Sequence, residues 1–428
     1  MKTKLLIFGI SGDLSRRKLL PALQSIIRHD QFSDMEIIGV SRGGLDLDEL
    51  LGNTPELQER TSLFSMDMAT LTEYDRLRKH IALKPEEQLL IYLSVPPVAT
   101  RQIVSLLGEA ELNTSNTKLL LEKPFGVDLA SAKAMKEHVD SYFDDARVYR
   151  IDHYLAKEMA QNIAAFRAGN ALFSHIWNNQ AITDIEVIAS EKIGIEGRGQ
   201  FYEQTGALRD VLQGHLMQLL ALVLMEIPGS LDWNDIPKKR LEALSQLRGA
   251  NPSLAVRAQY EGYAKEVNNP GSLTETFVSV ELASDNPLWR GVPLRLVTGK
   301  ALETKITEIR INFKKTHDAQ ANRLVLRIQP NEGVEIELSA KKPGYEREFE
   351  PRHLAFSYPK DAILPDAYEQ VLVDAIRSHK SLFTSSGEVL ASWQVLQPVL
   401  DAWEMENTPL LVYPKEASIA AILSQSQG

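Results

Sequence analysis

The sequence predicts an α/β domain of the Rossmann type, with a doubly wound parallel sheet, followed by an α+β domain with a large, mostly antiparallel sheet. Three observations lead to this prediction. The chain has 428 residues, which is too many for one typical hydrophobic core. Short apolar runs alternate with helical patterns in its first third, as in parallel sheets with crossover helices. Runs of period two then follow one another from about residue 273, as in antiparallel sheets.

The elements of the first part can be assigned in order. Leu5–Phe8 is a short apolar run that ends at Gly9, as expected for a buried parallel strand. The spacing of apolar residues predicts a helix over Lys18–Ile27. Three further apolar runs predict parallel strands at Glu36–Val40, Gln88–Leu93 and Lys118–Leu121.

The pattern of predicted secondary structure changes after Arg150. Helical patterns over 155–169 and 205–226 flank Ile182–Ala189, whose alternation predicts a strand. The tail, about 365–403, is again helical. Between them the predicted strands are Thr274–Glu281, Pro293–Val297, Glu308–Lys314, Arg323–Gln329 and Val334–Ser339.

Composition narrows the possible partners. A formal net charge of -10 argues against a general nucleic-acid binder, which needs a basic excess. The chain has no cysteine, so disulfides, thiolate catalysis and cysteine-ligated metals are excluded. The N-terminal apolar run does not fit a secretion signal, and the longest apolar stretch, Leu216–Met225, falls short of the roughly 20 residues of a membrane span. We therefore expect a cytoplasmic protein that binds neither nucleic acid nor membrane.

The turn after the first strand has the composition of a nucleotide site. Glycines there let the backbone approach a pyrophosphate, and the following helix start offers free N–H groups. The spacing is G-x-x-G, which also fits an ordinary glycine-containing βα turn. The candidate cofactor-binding residues are Gly9, Ser11, Gly12, Asp13 and Leu14.

The end of the second strand favours NADP over NAD. NAD sites place an acidic residue there for the ribose hydroxyl, whereas NADP sites use arginine. This strand ends in Ser41 and Arg42, with no acid before Asp46. A guanidinium can pair with the 2′-phosphate through two hydrogen bonds. Farther on, Pro96 and Pro97 end another strand and predict a rigid wall beside the nicotinamide.

Two polar segments follow the last strands of the first part. Glu122-Lys-Pro-Phe-Gly126 lies at the carboxyl edge of the sheet, where ligands bind, and its Lys-Pro bond is a candidate for the cis form. The second segment, 150–158, is dense in charges. If a helix begins near Tyr154, then His153, Tyr154 and Lys157 cluster at its first turn as a phosphate cradle. The alternative is a helix cap with incidental charges.

His215 is the candidate general base. A helix over 205–226 places it on the same face as four leucines, Leu208, Leu212, Leu219 and Leu222. A histidine in such a place is often a satisfied core residue. Paired with a carboxylate, for which Asp152 and Asp210 are available, it can instead remove a proton near neutral pH.

The order of these motifs resembles the glucose-6-phosphate dehydrogenase family. The segments that carry the resemblance run from residue 5 to about 370: GISGDLSRRKLLPAL, VSR, YLSVPP, EKPFG, RIDHYLAKE, EGRGQFYEQTGALRDVLQGHLMQLLALVLME, SLTETF, RGVPLRLVTGKALETK, RIQPNEG and PDAYE. The family resemblance implies oxidation of C1 of a hexose 6-phosphate, with hydride transfer to NADP. It also implies an NADP-binding domain over 1–152, a substrate-binding and oligomerisation domain over 153–428, and a homo-oligomer, either dimer or tetramer.

The resemblance also implies a role for each matching residue. His215 would take the proton of the C1 hydroxyl, and Asp152 would orient it. The phosphate would be held by His153, Tyr154 and Lys157. The residues at the sugar hydroxyls would be Lys123, Glu191, Asp210 and Lys300, with Lys18 and Lys305 near the same pocket. The cofactor would be held by Gly9, Ser11, Gly12, Asp13, Leu14, Lys18, Ser41, Arg42, Pro96 and Lys123. No metal is expected.

Several positions depart from the family pattern. Ala156 stands where the family has glycine, Gly214 where it usually has asparagine, and Thr100 where an aromatic residue is frequent. The tail after Pro414 lacks the Gly-Pro element, and the chain is short for the family. These departures favour a divergent, shortened paralogue. Two alternatives stay open: a sugar dehydrogenase of the glucose–fructose oxidoreductase type, and a catalytically weak NADP-binding regulator.

Overall fold

A computed structural model describes residues 1–29, 32, 34–52, 54–227, 231–316, 320–359, 362, 364–405 and 409–426. The strands among these residues, in chain order, are β1 (Lys2–Phe8), β2 (Glu36–Ser41), β3 (Thr61–Ser65), β4 (Glu87–Leu93), β5 (Thr117–Leu121), β6 (Val148–Ile151), β7 (Ile182–Ser190), β8 (Val256–Tyr260), β9 (Phe277–Leu282), β10 (Leu294–Gly299), β11 (Ile306–Phe313), β12 (Arg323–Gln329), β13 (Gly333–Lys341), β14 (Phe349–Ser357), β15 (Phe383–Thr384) and β16 (Leu410–Tyr413).

The α-helices of the described residues are α1 (Leu20–Arg28), α2 (Leu47–Leu51), α3 (Pro55–Gln58), α4 (Leu71–Ile81), α5 (Pro97–Glu109), α6 (Leu129–Asp140), α7 (Glu158–Gly169), α8 (Ala171–Ser174), α9 (Gly199–Ala207), α10 (Met217–Leu224), α11 (Ile236–Ser245), α12 (Tyr263–Glu266), α13 (Ala367–Arg377), α14 (Ser386–Glu404) and α15 (Ile419–Gln425). Two π-helical segments, Ser15–Leu19 and Leu208–Leu216, precede α1 and α10.

The chain divides into two compact units. The first comprises Met1–Gly126, Ala130–Ala156 and Pro365–Ser386, and the second comprises Val127–Leu129, Lys157–Leu364 and Gly387–Gly428. The domain boundaries expected from the sequence, 1–152 and 153–428, place α13 in the second domain, whereas in the structure it belongs to the first unit. The apolar side of α13, including Val371, Leu372 and Ala375, is buried in the core of the first unit, and this packing explains the difference.

The first unit contains a seven-stranded sheet in the order β15-β6-β5-β4-β1-β2-β3. Its pairings are parallel, except that β15 runs antiparallel to β6. The predicted doubly wound parallel sheet is therefore confirmed. The strand order reverses between β1 and β4, which is the place where open α/β sheets bind ligands. The sequence predictions missed β3, β6 and β15.

The second unit contains a nine-stranded sheet in the order β14-β13-β12-β11-β7-β10-β9-β8-β16. The pairings are antiparallel except at two places, β10 with β7 and β16 with β8. This confirms the mostly antiparallel sheet. The predictions missed β8, β14 and β16, and placed the other strands within a few residues of their observed ends.

One long apolar helical segment crosses the second unit. Gly199–Leu224 has the length and hydropathy that a membrane span would need, but 78% of its most apolar window is buried inside the structure. A core helix of a globular domain meets the same criterion. The segment contains α9, the second π-helical segment and α10, and its backbone breaks at Gly206, which has a φ of 63°.

Candidate active site

The turn after β1 is built from backbone atoms in close contact. Gly9 has a φ of +77°, and a Cβ on it would lie 2.2 Å from the Ser94 carbonyl oxygen. Its N–H donates to the Val40 carbonyl at 3.2 Å, and the Gly12 N–H donates to the Gly9 carbonyl at 2.9 Å. The Ser15 hydroxyl also donates to the Gly9 carbonyl, at 3.0 Å. Only glycine fits at Gly9, so the turn presents backbone and not side chains.

The other predicted residues of this turn lie around it. Ser11 and Asp13 are exposed, and Leu14 is half-buried. The chain then enters the π-helical segment Ser15–Leu19, a geometry that is frequent at functional sites. Lys18 is exposed on that segment, and its Nζ lies 3.4 Å from a carboxylate oxygen of Asp366.

The end of β2 presents a cation where NAD sites have an acid. Ser41 is buried and Arg42 is exposed. The first acid after the strand, Asp46, accepts hydrogen bonds from the Asp48 and Glu49 N–H groups and so caps α2. Asp46 is thus engaged by the backbone, which leaves Arg42 as the charged group at this strand end. Pro96 is exposed immediately before α5.

Lys123 and Asp152 follow the adjacent strands β5 and β6. The Lys123–Pro124 bond is cis, as the sequence suggested. Asp152 is only 1% exposed, and its carboxylate accepts a hydrogen bond from the Tyr154 N–H at 2.9 Å. The ring of His153 lies against Tyr154, with centroids 5.1 Å apart, and is stacked near Tyr368, at 6.4 Å.

The helix predicted over about 155–169 is present, but the condition that it begins near Tyr154 is not met. The helix α7 begins at Glu158, and Lys157 is its N-cap residue. Asp152 explains the delay, because its carbonyl also accepts from the Leu155 N–H at 3.0 Å and holds the chain in a turn. His153 and Tyr154 therefore precede the helix instead of lying in its first turn.

Lys157 has a partner that the sequence predictions missed. Its Nζ donates to the side-chain oxygen of Gln329 at 2.6 Å, and the Gln329 amide in turn donates to the Thr307 hydroxyl at 3.1 Å. Gln329 is the last residue of β12, in the segment RIQPNEG. The signal that could have found it is its position: a polar residue ending an apolar strand, directly before Pro330.

Three of the predicted sugar-binding residues gather around Tyr202 in the second unit. Lys300 is 3% exposed, forms an ion pair with Glu191, and has its Nζ 5.3 Å from the centre of the Tyr202 ring. Burial raises the pKa of the Tyr202 phenol well above its usual range, and nearby carboxylates, Asp210 first among them, raise it further. Glu191 follows β7 and Lys300 follows β10. Because these two strands pair in parallel, both residues lie at the carboxyl ends of neighbouring strands.

The π-helical segment determines the relative direction of the Asp210 and His215 side chains. In an α-helix, residues five apart point in different directions, about 140° apart at 3.6 residues per turn. In a π-helix, whose hydrogen bonds join residues i and i+5, residues five apart lie roughly one above the other. Both residues belong to Leu208–Leu216, and His215 is 6% exposed. The predicted helix is present, but its stretch around His215, Leu208–Leu216, is π-helical.

A buried carboxylate fixes the start of this segment. Glu275 accepts a hydrogen bond from the Leu208 N–H at 2.9 Å, and its carbonyl accepts from the Ala207 N–H at 3.0 Å. Burial raises the pKa of Glu275. A Cβ on Gly206 would come within 2.4 Å of this carboxylate, so glycine is required there. Sequence analysis quoted the segment SLTETF but gave Glu275 no role.

The remaining observations concern Lys305 and possible metal ligands. Lys305 is exposed and directly precedes the Ile306–Ser190 pair of β11 and β7, so it lies beside the strand end that carries Glu191. Within the described residues, three potential metal ligands come together at Glu335, Glu337 and His353. Their carboxylates already pair with Arg327 and Arg323, and we assign no metal to them.

Comparison with known proteins identifies the family. The model of the glucose-6-phosphate dehydrogenase NAD-binding domain matches residues 6–162, and that of the C-terminal domain matches 164–421. The chain belongs to the glucose-6-phosphate dehydrogenase family. Because both domain models match in sequence order, the glucose–fructose oxidoreductase alternative is not supported.

Individual members of the family match along most of their length. The chain is 35% identical to glucose-6-phosphate 1-dehydrogenase of Gluconobacter oxydans, over 95% of this chain and 92% of that protein. The enzyme of Dictyostelium discoideum is 34% identical, with coverage of 94% and 89%. A solved structure of glucose-6-phosphate dehydrogenase in complex with glucose 6-phosphate has a TM-score of 0.92 at 31% identity, covering 99% of this chain and 97% of that one. The Mycobacterium avium enzyme gives 0.88 at 31%, covering 98% and 96%.

Proposed function

We propose that this protein oxidises C1 of glucose 6-phosphate to the 6-phospholactone and transfers the hydride to NADP. The observation that carries the proposal is the match to both family domains over nearly the whole chain. The polar cluster of Glu191, Lys300 and Asp210 around Tyr202 supports it, because a sugar needs several fixed donors and acceptors.

The residues at the ends of β1 and β2 fit NADP. The turn at Gly9 has no room for a side chain, so a pyrophosphate could approach the backbone there. Arg42 stands where NAD sites carry an acid, and Asp46 is occupied as a helix cap. We assign the cofactor to Gly9, Ser11, Gly12, Asp13, Leu14, Lys18, Ser41, Arg42, Pro96 and Lys123. When bound, NADP would supply the hydride acceptor.

The sugar-binding groups divide by charge. The Glu191 and Asp210 carboxylates would accept hydrogen bonds from sugar hydroxyls, and the buried Lys300 ammonium would donate one. Lys123 and Lys305 are assigned to the same task. Since Lys300 is buried and already oriented by Glu191, little side-chain freedom would be lost when sugar binds.

His153, Tyr154 and Lys157 are assigned to the 6-phosphate. Lys157 is held in place by Gln329, and the His153 ring lies near the rings of Tyr154 and Tyr368. Charge-assisted hydrogen bonds to phosphate are among the stronger ones in proteins. Gln329 joins this group as a residue that fixes the lysine.

His215 is assigned as the general base and Asp152 as its orienting carboxylate. Loss of a hydride from C1 requires loss of the hydroxyl proton, and a neutral imidazole can accept it near pH 7. This pairing rests on the family resemblance. In a satisfied core histidine, by contrast, substitution would change stability and leave turnover per folded molecule unchanged.

The assay that tests the function is NADPH absorbance with a panel of sugar phosphates and both cofactors. Glucose 6-phosphate with NADP should give the highest kcat/KM, and free glucose should be far less efficient. Lys157→Ala should narrow that gap, whereas the exposed Lys79→Ala on α4 should not. NADP binding without NADPH formation on any sugar phosphate would favour the regulatory alternative instead.

We also propose a cytoplasmic homo-oligomer, dimer or tetramer, in which a second copy covers β14. This strand is at the edge of the nine-stranded sheet, and Leu354 and Phe356 are 57% and 51% exposed. Edge strands with exposed apolar residues pair with other chains unless they are protected. Leu354→Glu should lower the mass measured by light scattering, whereas Val98→Glu, an exposed site in the first unit, should not. A wild-type monomer would contradict the proposal.

A further inference from the structure

A buried tyrosine and a carboxyl group are hydrogen-bonded at the ligand-binding edge of the first unit. Tyr92 lies in β4 with no exposed surface, and its hydroxyl donates to the carboxylate of Glu122, the residue after β5. Tyr92 pairs in register with Leu120. Side chains alternate along a strand, so Glu122 projects on the same face as Leu120 and Tyr92.

Glu122 faces four charged or titratable groups. Burial raises its pKa to about 7, while the Tyr92 hydrogen bond and the Lys123 ammonium lower it and Asp152 raises it. The fourth group is Tyr368 of α13, whose own pKa is raised by burial and by the Glu122 carboxylate. Glu122 therefore lies next to Lys123 and Asp152, two residues with assigned roles in the reaction.

We propose that Tyr92 is a positioning residue, whose hydroxyl fixes the Glu122 carboxylate so that this carboxylate can orient the neighbouring Lys123. This inference rests on the proposed function. A fixed carboxylate orients the Lys123 ammonium toward the sugar. Tyr92 touches neither sugar nor cofactor in this scheme and acts through Glu122 alone.

The sign of the pH effect follows from the groups around Glu122. The carboxylate attracts Lys123 only when ionised, so sugar binding weakens as the pH falls through the pKa of Glu122, about 7. The Tyr92 hydrogen bond lowers that pKa. Its removal therefore raises the pKa, and the acid limb of the pH profile should move to higher pH.

The test compares Tyr92→Phe with Tyr74→Phe. Tyr74 is also fully buried in the first unit, but its hydroxyl donates to a backbone carbonyl, that of Met68, at 2.8 Å. The measurement is kcat/KM for glucose 6-phosphate against pH. Tyr92→Phe should raise KM about 10-fold near pH 7 and shift the acid limb upward by roughly one pH unit, with kcat changed little. Tyr74→Phe should shift neither.

The ionisations of other groups do not affect the difference between the two variants. Those of His215 and of the sugar phosphate are shared by both variants, so only a difference between them reports on Glu122. Glu122→Gln keeps an acceptor for Tyr92 and should remove the limb that shifts. If the pH profiles of Tyr92→Phe and Tyr74→Phe superimpose, the inference is overturned. If Tyr92→Phe does not fold, Glu122→Gln takes its place, and a pH profile of Glu122→Gln that equals the wild-type profile would overturn the inference. A wild-type protein that forms no NADPH would instead contradict the proposed function.

Discussion

The turn after β1 and the cluster around Tyr202 are candidate binding sites of two different kinds. The first is contiguous in sequence and made of backbone, with Gly9 pressed against the Ser94 carbonyl. The second brings together Glu191, Lys300 and Asp210, which lie up to 109 residues apart, and its charged groups surround a buried lysine. A backbone site is sensitive to added volume, whereas a side-chain site is sensitive to lost charge. The four predictions below test this distinction, in order of expected effect.

The largest effect is expected at the base. His215→Asn should lower kcat by about 10²–10⁴-fold, because it removes the proposed proton acceptor of the C1 hydroxyl. The deprotonation limb assigned to His215 should vanish from the pH profile of kcat. Asp152→Asn should have a smaller effect, since it leaves the base in place. Circular dichroism and sugar-phosphate affinity serve as controls. Unfolding of His215→Asn with unchanged activity per folded molecule would identify a core histidine.

The backbone site should respond to a single methyl group. Gly9→Ala adds a Cβ 2.2 Å from a carbonyl oxygen at a φ of +77° and should lower the unfolding free energy by about 3 kcal/mol. KM for NADP should rise as well. Gly262→Ala is the control, since Gly262 has a φ of +90° in the ordinary left-handed region and open space around it, and it should lose only about 1 kcal/mol. Equal losses in urea unfolding would show that the close approach does not matter.

One side chain, Arg42, is proposed to extend the backbone site to the ribose. Arg42→Ala should raise KM for NADP by roughly 10- to 150-fold, the equivalent of one charge-assisted contact of about 1.5–3 kcal/mol, and leave KM for NAD nearly unchanged. The exposed Arg28→Ala at the end of α1 is a control for lost charge. If both cofactors weaken equally, Arg42 does not contact the 2′-phosphate.

The side-chain site should distinguish a buried lysine from an exposed one. Lys300→Met should raise KM for glucose 6-phosphate by about 10-fold or more, because the lost contact is desolvated and paired with Glu191. Lys305→Met removes an exposed charge, and an exposed ion pair is worth about 0.2–1 kcal/mol, less than a 6-fold change. A larger effect at Lys305 would reverse the assigned importance of the two lysines.

Much of the fold could be predicted from the sequence because its signals are local. β1, β2, β4 and β5 are apolar runs with clear ends, and each lies within a few residues of its predicted position. Some of the missed strands are short, as at β6 and β15, or lack a buried face, as along the almost fully exposed β14, but β8 is a mostly buried strand of five residues that the apolar pattern did not mark. Tertiary pairing defines such strands, and pairing leaves no periodic signal in the chain.

In the candidate site, too, some features follow from local sequence and others only from tertiary contacts. The sequence by itself determined the glycine turn and the cation at Arg42, because each depends on neighbouring residues, whereas it marked the Lys123–Pro124 bond only as a candidate for the cis form. Only the tertiary structure decided that α7 begins after Lys157, since Asp152 captures the preceding N–H groups.

Long-range contacts decided the rest. The sheet brings Glu191 to Lys300, β12 brings Gln329 to Lys157, and Glu275 anchors the π-helical segment that holds Asp210 and His215. A hydrogen bond between residues far apart in sequence depends on strand order and register. The chain specifies these only through the free energy of the whole fold, and not through any local pattern.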